Sequence, residues 1–315
     1  MRRGGHLEMT DSDTGFVDEG VGVPPVEDLP LADAQAVVVC GGPNWKPQDR
    51  FLPLEVIRPV QVLTRAGGVA CPWFDQYRDY GVSSIKLDPS GEWAVYATST
   101  AVMRIWLHTG QFEDFEVPDL VDVHELTLAG DVLYAANTGR DEVVEMDAVT
   151  GKVLMRHSLA PFRSPRARAL RSTAIETFHA NQAFLDDDGH LMVLAHHAAG
   201  FRVLVHARRQ LVRHGSGGVL DLTSGVTRDL RLFGPHNVRR HRDGWLINNS
   251  GRSEVMLLST DWEVVGHLDL VGWGTGAAIS DDGSILFGGI RATRRRYAKT
   301  GDRSETGVEV VALDG

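Results

Sequence analysis

The chain has only two cysteines, Cys40 and Cys71, in 315 residues. They can form one disulfide at most, and their spacing makes no metal motif on its own. A disulfide-stapled scaffold and a cysteine-built zinc module are therefore excluded. The N-terminal Met1-Arg2-Arg3-Gly4-Gly5-His6 is basic but has no apolar stretch behind it, so it does not read as a secretory signal. Reduced thiols in a cytoplasmic protein are the expectation. No run of about 18 apolar residues occurs, which excludes a membrane-spanning helix and makes a membrane partner unexpected. Positive charge is scarce: 32 Lys and Arg stand against 42 Asp and Glu, for a net charge of −10. That balance argues against a nucleic-acid partner, since phosphate binding needs a basic surface. The local basic runs Arg163–Arg171 and Arg291–Arg296 read as solvated loops or hairpins.

Long amphipathic helical stretches are also missing. So are the Gly-x-Ser-x-Gly nucleophile elbow, the P-loop, His-Glu-x-x-His and a Rossmann glycine run. The Trp-Asp signature of interaction propellers is absent, because Asp261-Trp262 carries the pair in reverse order.

What is present is a hairpin pattern that recurs. An apolar strand leads to an Asp/Gly turn, and a second apolar strand follows. Five copies are visible, with turns at Asp88–Gly91, Gly130-Asp131, Asp186–Gly189, Asp243-Gly244 and Asp281–Gly283. Asp-Gly between short apolar runs is a strong hairpin signal. More strand-like sequence with its own turn follows each hairpin, as in Glu142–Met146, Asp147–Gly151 and Lys152–Leu154. Four strands at a period of about 40–55 residues indicate propeller blades. A β-sandwich would explain the hairpins but not the period. The fold class expected is all-β: a β-propeller of six four-stranded blades, with five kept open. Ala36–Thr64 would supply a sixth, divergent blade or outer strands that close the ring. Residues 1–30 read as a flexible acidic leader, and residues 31–315 as one propeller domain. The stretch Ser158–Ala174 is long for a turn, and a functional loop near the channel is expected there.

With the hairpin glycine as ruler, His236 lies eight positions before Gly244, His124 six before Gly130 and His179 ten before Gly189. Even differences keep one strand face. The three histidines are thus expected at the start of the innermost strands, facing one mouth of the central channel. Three neutral imidazoles around one point suit a divalent iron, zinc, manganese or copper ion and leave coordination positions open. His124, His179 and His236 are the candidate metal ligands and catalytic residues. Hydrogen-bonded channel histidines are the bland alternative. Asn137, His196 and Asn249 end the second strands of their repeats and form a second tier of candidate substrate contacts. Asn181 shares the face of His179 in strict alternation. Glu125 and Asn237, directly after histidines, should point the other way unless a bulge turns them. Arg140, Glu176, Arg252 and Arg291 fall near channel-mouth loops, and Arg252 is a candidate carboxylate binder. Trp273 would roof the pocket.

These residues carry a resemblance. Pro235-His236-Asn237-Val238 with Asp243-Gly244-Trp245-Leu246-Ile247-Asn248-Asn249-Ser250-Gly251 resembles the Pro-His-Ser-Pro…Asp-Gly-x-Leu-Trp-x-x-Asn-Ser-Gly stretch of a bacterial propeller-like family. That family is of unknown function, and some of its members carry tetratricopeptide repeats. Val123-His124-Glu125-Leu126…Asn137-Thr138 looks like its His-Asp…Val-Asn-Thr segment, and His179-Ala180-Asn181 like its His-Leu-Asn segment. The likeness spans roughly residues 120–295 and departs after Asn137, where Gly139-Arg140 replaces an aromatic and a cysteine-containing run. It implies the propeller and the three histidine positions, but no chemistry. The Pro-His…Asp-Gly…Leu hairpin is also similar to repeats of virginiamycin B lyase, a metal-dependent propeller enzyme, and to gluconolactonase-type propellers, which hold a divalent metal on the axis. These resemblances imply fold rather than function.

The expectation that follows is a metal-dependent enzyme acting on a small molecule at the channel mouth, of lyase or isomerase type. An iron- or copper-dependent oxidoreductase and a non-catalytic binding propeller are the alternatives. Hydrolysis is disfavoured, because no carboxylate base shares the histidine address. The oligomeric state is left open.

Overall fold

The computed structural model describes residues 34–39, 60–64, 67–70, 82–169, 177–200, 215–242, 244–280, 282–291 and 307–313. The leader, Cys40, Cys71, Glu176 and most of the Arg291–Arg296 run lie outside the described residues.

Six antiparallel sheets follow one another along the chain. The first holds β1 (Ala34–Val39), β2 (Val60–Thr64) and β3 (Gly67–Ala70). The second holds β4 (Ser84–Leu87), β5 (Trp93–Ala97), β6 (Val102–Trp106) and β7 (Phe112–Asp114). The third holds β8 (Val123–Ala129), β9 (Val132–Asn137), β10 (Glu142–Asp147) and β11 (Val153–Ser158). The fourth holds β12 (Ala180–Leu185), β13 (Leu191–Ala195), β14 (Gly217–Asp221) and β15 (Thr227–Leu232). The fifth holds β16 (Pro235–His241), β17 (Gly244–Asn249), β18 (Glu254–Ser259) and β19 (Val264–Asp269). The sixth holds β20 (Trp273–Ile279), β21 (Ile285–Arg291) and β22 (Gly307–Ala312). In every sheet the strands pair in chain order, as an up-and-down meander.

The fold is an all-β propeller. The expected count of six four-stranded blades, or five, needs correction. Among the described residues four sheets have four strands, and the first and sixth have three. The five Asp/Gly hairpins are β4–β5, β8–β9, β12–β13, β16–β17 and β20–β21. Gly130 and Gly189 sit in their turns at φ 58° and 78°, a region that side chains with a Cβ rarely occupy.

The sheets are held together by what alternate residues of the middle strands bury. In β5, Ala94 and Tyr96 join a core shared with Val60 of the first sheet, while Val95 and Ala97 face Val123 and Leu126 of the third. In β13, Leu191 and Val193 meet Tyr134 and Val143, while Met192 and Leu194 meet Val238 and Trp245. In β17, Ile247 packs back on the fourth sheet and Leu246 forward on the sixth. A strand with period two that is buried on both faces must be apolar at successive positions. Ala94-Val95-Tyr96-Ala97 and Leu191-Met192-Val193-Leu194 are written that way.

Two sheets end their second strand on the same clasp. Asn137-Thr138-Gly139-Arg140 and Asn249-Ser250-Gly251-Arg252 each form one 3-10 turn closed by a left-handed residue, Asp141 or Ser253. The Asn137 amide accepts from the Val121 N–H at 2.7 Å and donates to Glu142 at 2.7 Å. Asn249 accepts from Phe233 at 2.7 Å and donates to Glu254 at 2.6 Å. The Thr138 hydroxyl donates to the Ala180 carbonyl of the next sheet, and Ser250 donates to Gly274 in the same way. A buried N–H left without its acceptor costs about 1–3 kcal/mol. Asn249→Ala is therefore expected to lower the unfolding free energy by about 1–3 kcal/mol, read as a shifted urea midpoint at unchanged slope.

Candidate functional site

The innermost strands β8, β12, β16 and β20 each break register near their start. In β12, β16 and β20 the unpaired residue is Asn181, Asn237 or Thr275. In β8 the pairs Val123–Asn137 and Leu126–Ala135 leave His124 and Glu125 together facing Ala136. A bulge of this kind adds one residue and re-aims the side chains around it. Strict alternation fails at this point. Both His124 and Glu125 reach other innermost strands.

Counted from the residues that close the hairpins, Ala129, Leu185 and His241, His124 and His236 occupy one position. His179 lies one residue further out, just before β12. The glycine ruler misplaced it because the glycines differ. Gly130 is inside a short turn, Gly189 is inside the longer turn Asp186–His190, and Gly244 is already in β17, paired with His241. His179 has a left-handed backbone, φ 50°, and its carbonyl accepts from the His196 N–H at 3.1 Å.

The rings nevertheless converge. His124 and His179 meet edge to face at 4.8 Å between centroids, and His179 and His196 lie 4.3 Å apart. His196 and His236 are 5.1 Å apart, and His236 and Trp273 are 6.0 Å apart. The array runs through the third to sixth sheets. Single ligand atoms of Asp122, His124 and His179 lie within 4.8 Å of one another, a spacing that one metal ion can bridge. The group of donors that could hold an ion includes Asp122, which the sequence reading did not name, and does not include His236, whose ring neighbours His196.

His124 and His236 are oriented alike. His124 Nδ1 lies 3.1 Å from the Asp122 carbonyl oxygen, and His236 Nδ1 lies 2.9 Å from that of Gly234. A carbonyl only accepts, so in each ring Nδ1 carries the proton and Nε2 keeps its lone pair. His236 Nδ1 is also 2.8 Å from the Ser250 hydroxyl, whose own proton goes to Gly274. His196 has its Nε2 buried without a hydrogen-bond partner. Its pKa falls well below the ordinary histidine value, first because it is desolvated, then because four other histidines surround it.

Beneath the rings the channel is crossed by a polar bridge. Glu125 accepts from Lys86 at 2.9 Å, from Arg239 at 2.7 Å and from Asn237. Gln182 accepts from the Val238 N–H at 2.6 Å and donates to Thr127. Burial alone would raise the Glu125 pKa, but Arg239 and Lys86 overcome it and hold the group at about 2.

The other expected contacts distribute as follows. The Asn181 amide donates to the Pro235 carbonyl, and its Oδ1 is buried without a partner. Asn137 and Asn249 commit their amides to the clasps and so hold backbone rather than a ligand. Arg252 is exposed, with its guanidinium 5.3 Å above the Phe233 ring. Trp273 is buried beside His236. Arg140 pairs with Asp119 at 3.2 Å. Sequence reasoning missed Asp122 and the Lys86–Glu125–Arg239 bridge. A signal for Asp122 was present, since Asp122 precedes His124 by the interval at which Gly234 precedes His236.

Comparison with solved structures returns β-propellers at distant identity. Hydrazine synthase of Kuenenia stuttgartiensis matches at 15% identity over 81% of this chain and 77% of that one, TM-score 0.51. Selenomethionine-substituted virginiamycin B lyase from Staphylococcus aureus matches at 12% identity over 66% of this chain, TM-score 0.44. The match spans 63% of the lyase, less than two thirds of its length. The Dos1 propeller matches at 15% identity over 72% of this chain and 55% of that one, TM-score 0.43. Neither a protein-family model nor a curated protein matches the sequence. At these identities the likeness is one of fold. No helix among the described residues is long and apolar enough to cross a membrane.

Removing one member of a buried charge cluster leaves the others uncompensated, typically at about 3–5 kcal/mol. Glu125→Gln is expected to destabilise the chain by about that much, read by urea unfolding. Adding Lys86→Met to it should recover part of the loss.

Proposed function

We propose that the chain binds one divalent transition metal through Asp122, His124 and His179, and uses it on a small molecule held at the channel mouth. The observation that carries this reading is the convergence of one carboxylate oxygen and two imidazole nitrogens within 4.8 Å. Two imidazoles and a carboxylate suit zinc, iron, manganese or copper, and three protein donors leave positions free for substrate. When bound, the ion would act as a Lewis acid towards a carbonyl or carboxylate oxygen.

The rest of the array supports lyase or isomerase chemistry. His236, whose Nδ1 faces the Gly234 carbonyl and the Ser250 hydroxyl, is the candidate base through Nε2. It would take a proton from the carbon next to the polarised carbonyl. The electron pair left on that carbon would expel a group from its neighbour, or be reprotonated elsewhere. His196, held neutral by burial, and Trp273 would line the same wall. Glu125 does not serve as base: a carboxylate with a pKa of about 2 binds protons too weakly. The donor set also favours a second reading, since two histidines and one carboxylate with open positions are the ligand set of non-haem iron oxidoreductases.

The test is metal analysis of protein purified without an affinity tag. About one transition-metal ion per chain is expected, lost in Asp122→Ala, His124→Ala and His179→Ala and kept in His236→Ala, with circular dichroism unchanged throughout. Iron as the bound ion would favour the oxidoreductase reading. Wild-type protein that carries no metal and takes up none of zinc, manganese, iron(II) or copper would refute both.

A further inference from the structure

The two clasps differ at one position, and the difference bears on His179. In the fifth sheet the closing left-handed residue is Ser253, φ 55°. In the third it is Asp141, φ 51°. Both backbones do the same work: the Ser253 carbonyl accepts from the Leu270 N–H at 2.8 Å, and the Asp141 carbonyl from Leu159 at 2.9 Å. The turn therefore forms without a carboxylate, and the Asp141 side chain is an addition to it.

That side chain is buried, 2% exposed, and holds the start of the next sheet. One carboxylate oxygen accepts from the Thr177 N–H and the Thr177 hydroxyl, both at 2.6 Å, and the other accepts from the Phe178 N–H at 2.9 Å. Arg163 also donates to the oxygen that Thr177 contacts, at 3.4 Å. Phe178 precedes His179, whose left-handed backbone turns its ring towards His124 and His196.

The chain connection explains why only this clasp needs the carboxylate. After the fifth sheet, Leu270 leads through Val271 and Gly272 straight into Trp273 and β20. The covalent chain itself places the next innermost strand. After the third sheet, residues 160–176 intervene between Leu159 and Thr177. The described part of this connection forms a 3-10 turn at Ala160–Phe162 and a short helix at Pro165–Ala169, and a connection of that length constrains its far end less than the two-residue link does. We propose that Asp141 is a positioning residue for His179: its carboxylate replaces the missing short tether and sets the backbone from which His179 reaches the metal. This rests on the reading of Asp122, His124 and His179 as a metal site.

The test uses Asp141→Ser, which copies the fifth-sheet clasp, in the full chain. Two readouts separate the positioning claim from the metal reading. In metal-free protein, the ring Cε1–H resonances of His179 and His196 are expected to move, while that of His267 on β19 stays. On titration with cobalt(II), the variant is expected to bind about 10- to 100-fold more weakly than wild type, with the visible ligand-field spectrum of His179→Ala. Ring resonances at their wild-type positions, together with cobalt affinity within about twofold of wild type, would overturn the proposal. Wild-type protein that binds no cobalt while the variant still moves the His179 ring would refute the metal site and uphold the positioning role. Should Asp141→Ser fail to fold, Asp141→Asn keeps one acceptor oxygen and is read the same way, with an intermediate loss expected.

Discussion

The bulge near the start of β8, β12, β16 and β20 is the constraint on which the centre of this propeller depends. A regular strand shows alternate residues to the channel and hides the rest between sheets. The extra residue in β8 abolishes that choice, and His124 and Glu125 both reach the axis. One becomes part of the ring array. The other spans the channel to Arg239 and Asn237 of the fifth sheet, two sheets away. The same shift in β16 brings Asn237 to meet it. The imidazole array and the Glu125 bridge both begin from the added residue in β8.

The floor and the array have opposite electrostatic characters. Glu125 is held ionised by Arg239 and Lys86 in a desolvated place, while burial and the neighbouring Arg239 pull the Lys86 pKa down and only Glu125 opposes them. Among the histidines, His124 has a carboxylate near it, Asp122 at 3.6 Å, whereas His196 is surrounded by other imidazoles. His196 is neutral because charging it would place a cation out of water among other imidazoles. Neutral imidazoles are the form in which histidine binds a metal or accepts a proton. Structural charge and chemical capacity are thus kept in separate layers of one channel.

How much of this was legible in the sequence follows from how local each signal is. The hairpins could be read because a turn's chemistry lies within a few residues: Asp88–Gly91 and Asp186–Gly189 announce themselves. The apolar runs of β5 and β13 likewise announce strands buried on both faces. Whether Glu125 is paired or bulged depends on β9, and no residue near position 125 records it. The histidine address was read one residue wrong at His179 because the hairpin glycines used as its ruler sit at different places in their turns. Asn137 and Asn249 were visible as a repeated feature, yet a buried amide at a strand end looks the same whether it holds backbone or ligand. Their shared Asn-Thr/Ser-Gly-Arg-x-Glu pattern was the better guide, because a hydroxyl and a glutamate at fixed offsets point to a local clasp.

The near-symmetry of the third and fifth sheets raises the question of why the three-donor group forms only in one of them. Asp122 and Gly234 are equivalent residues, at φ 54° and 55°, each with a carbonyl facing the Nδ1 of the histidine two residues on. A Cβ on Gly234 would lie 3.2 Å from the Trp273 ring and 3.5 Å from His196. Even the first carbon of a side chain is crowded there, and a whole carboxylate would have to displace the indole or the imidazole. Beside Asp122 the neighbouring sheet offers His179 rather than a tryptophan, and the carboxylate lies 3.6 Å from His124 Nδ1. The identity of the residue that opens the following sheet therefore decides the matter. An imidazole at that place completes a set of donors. An indole fills the same space and leaves the second histidine, His236, outside the three-donor group.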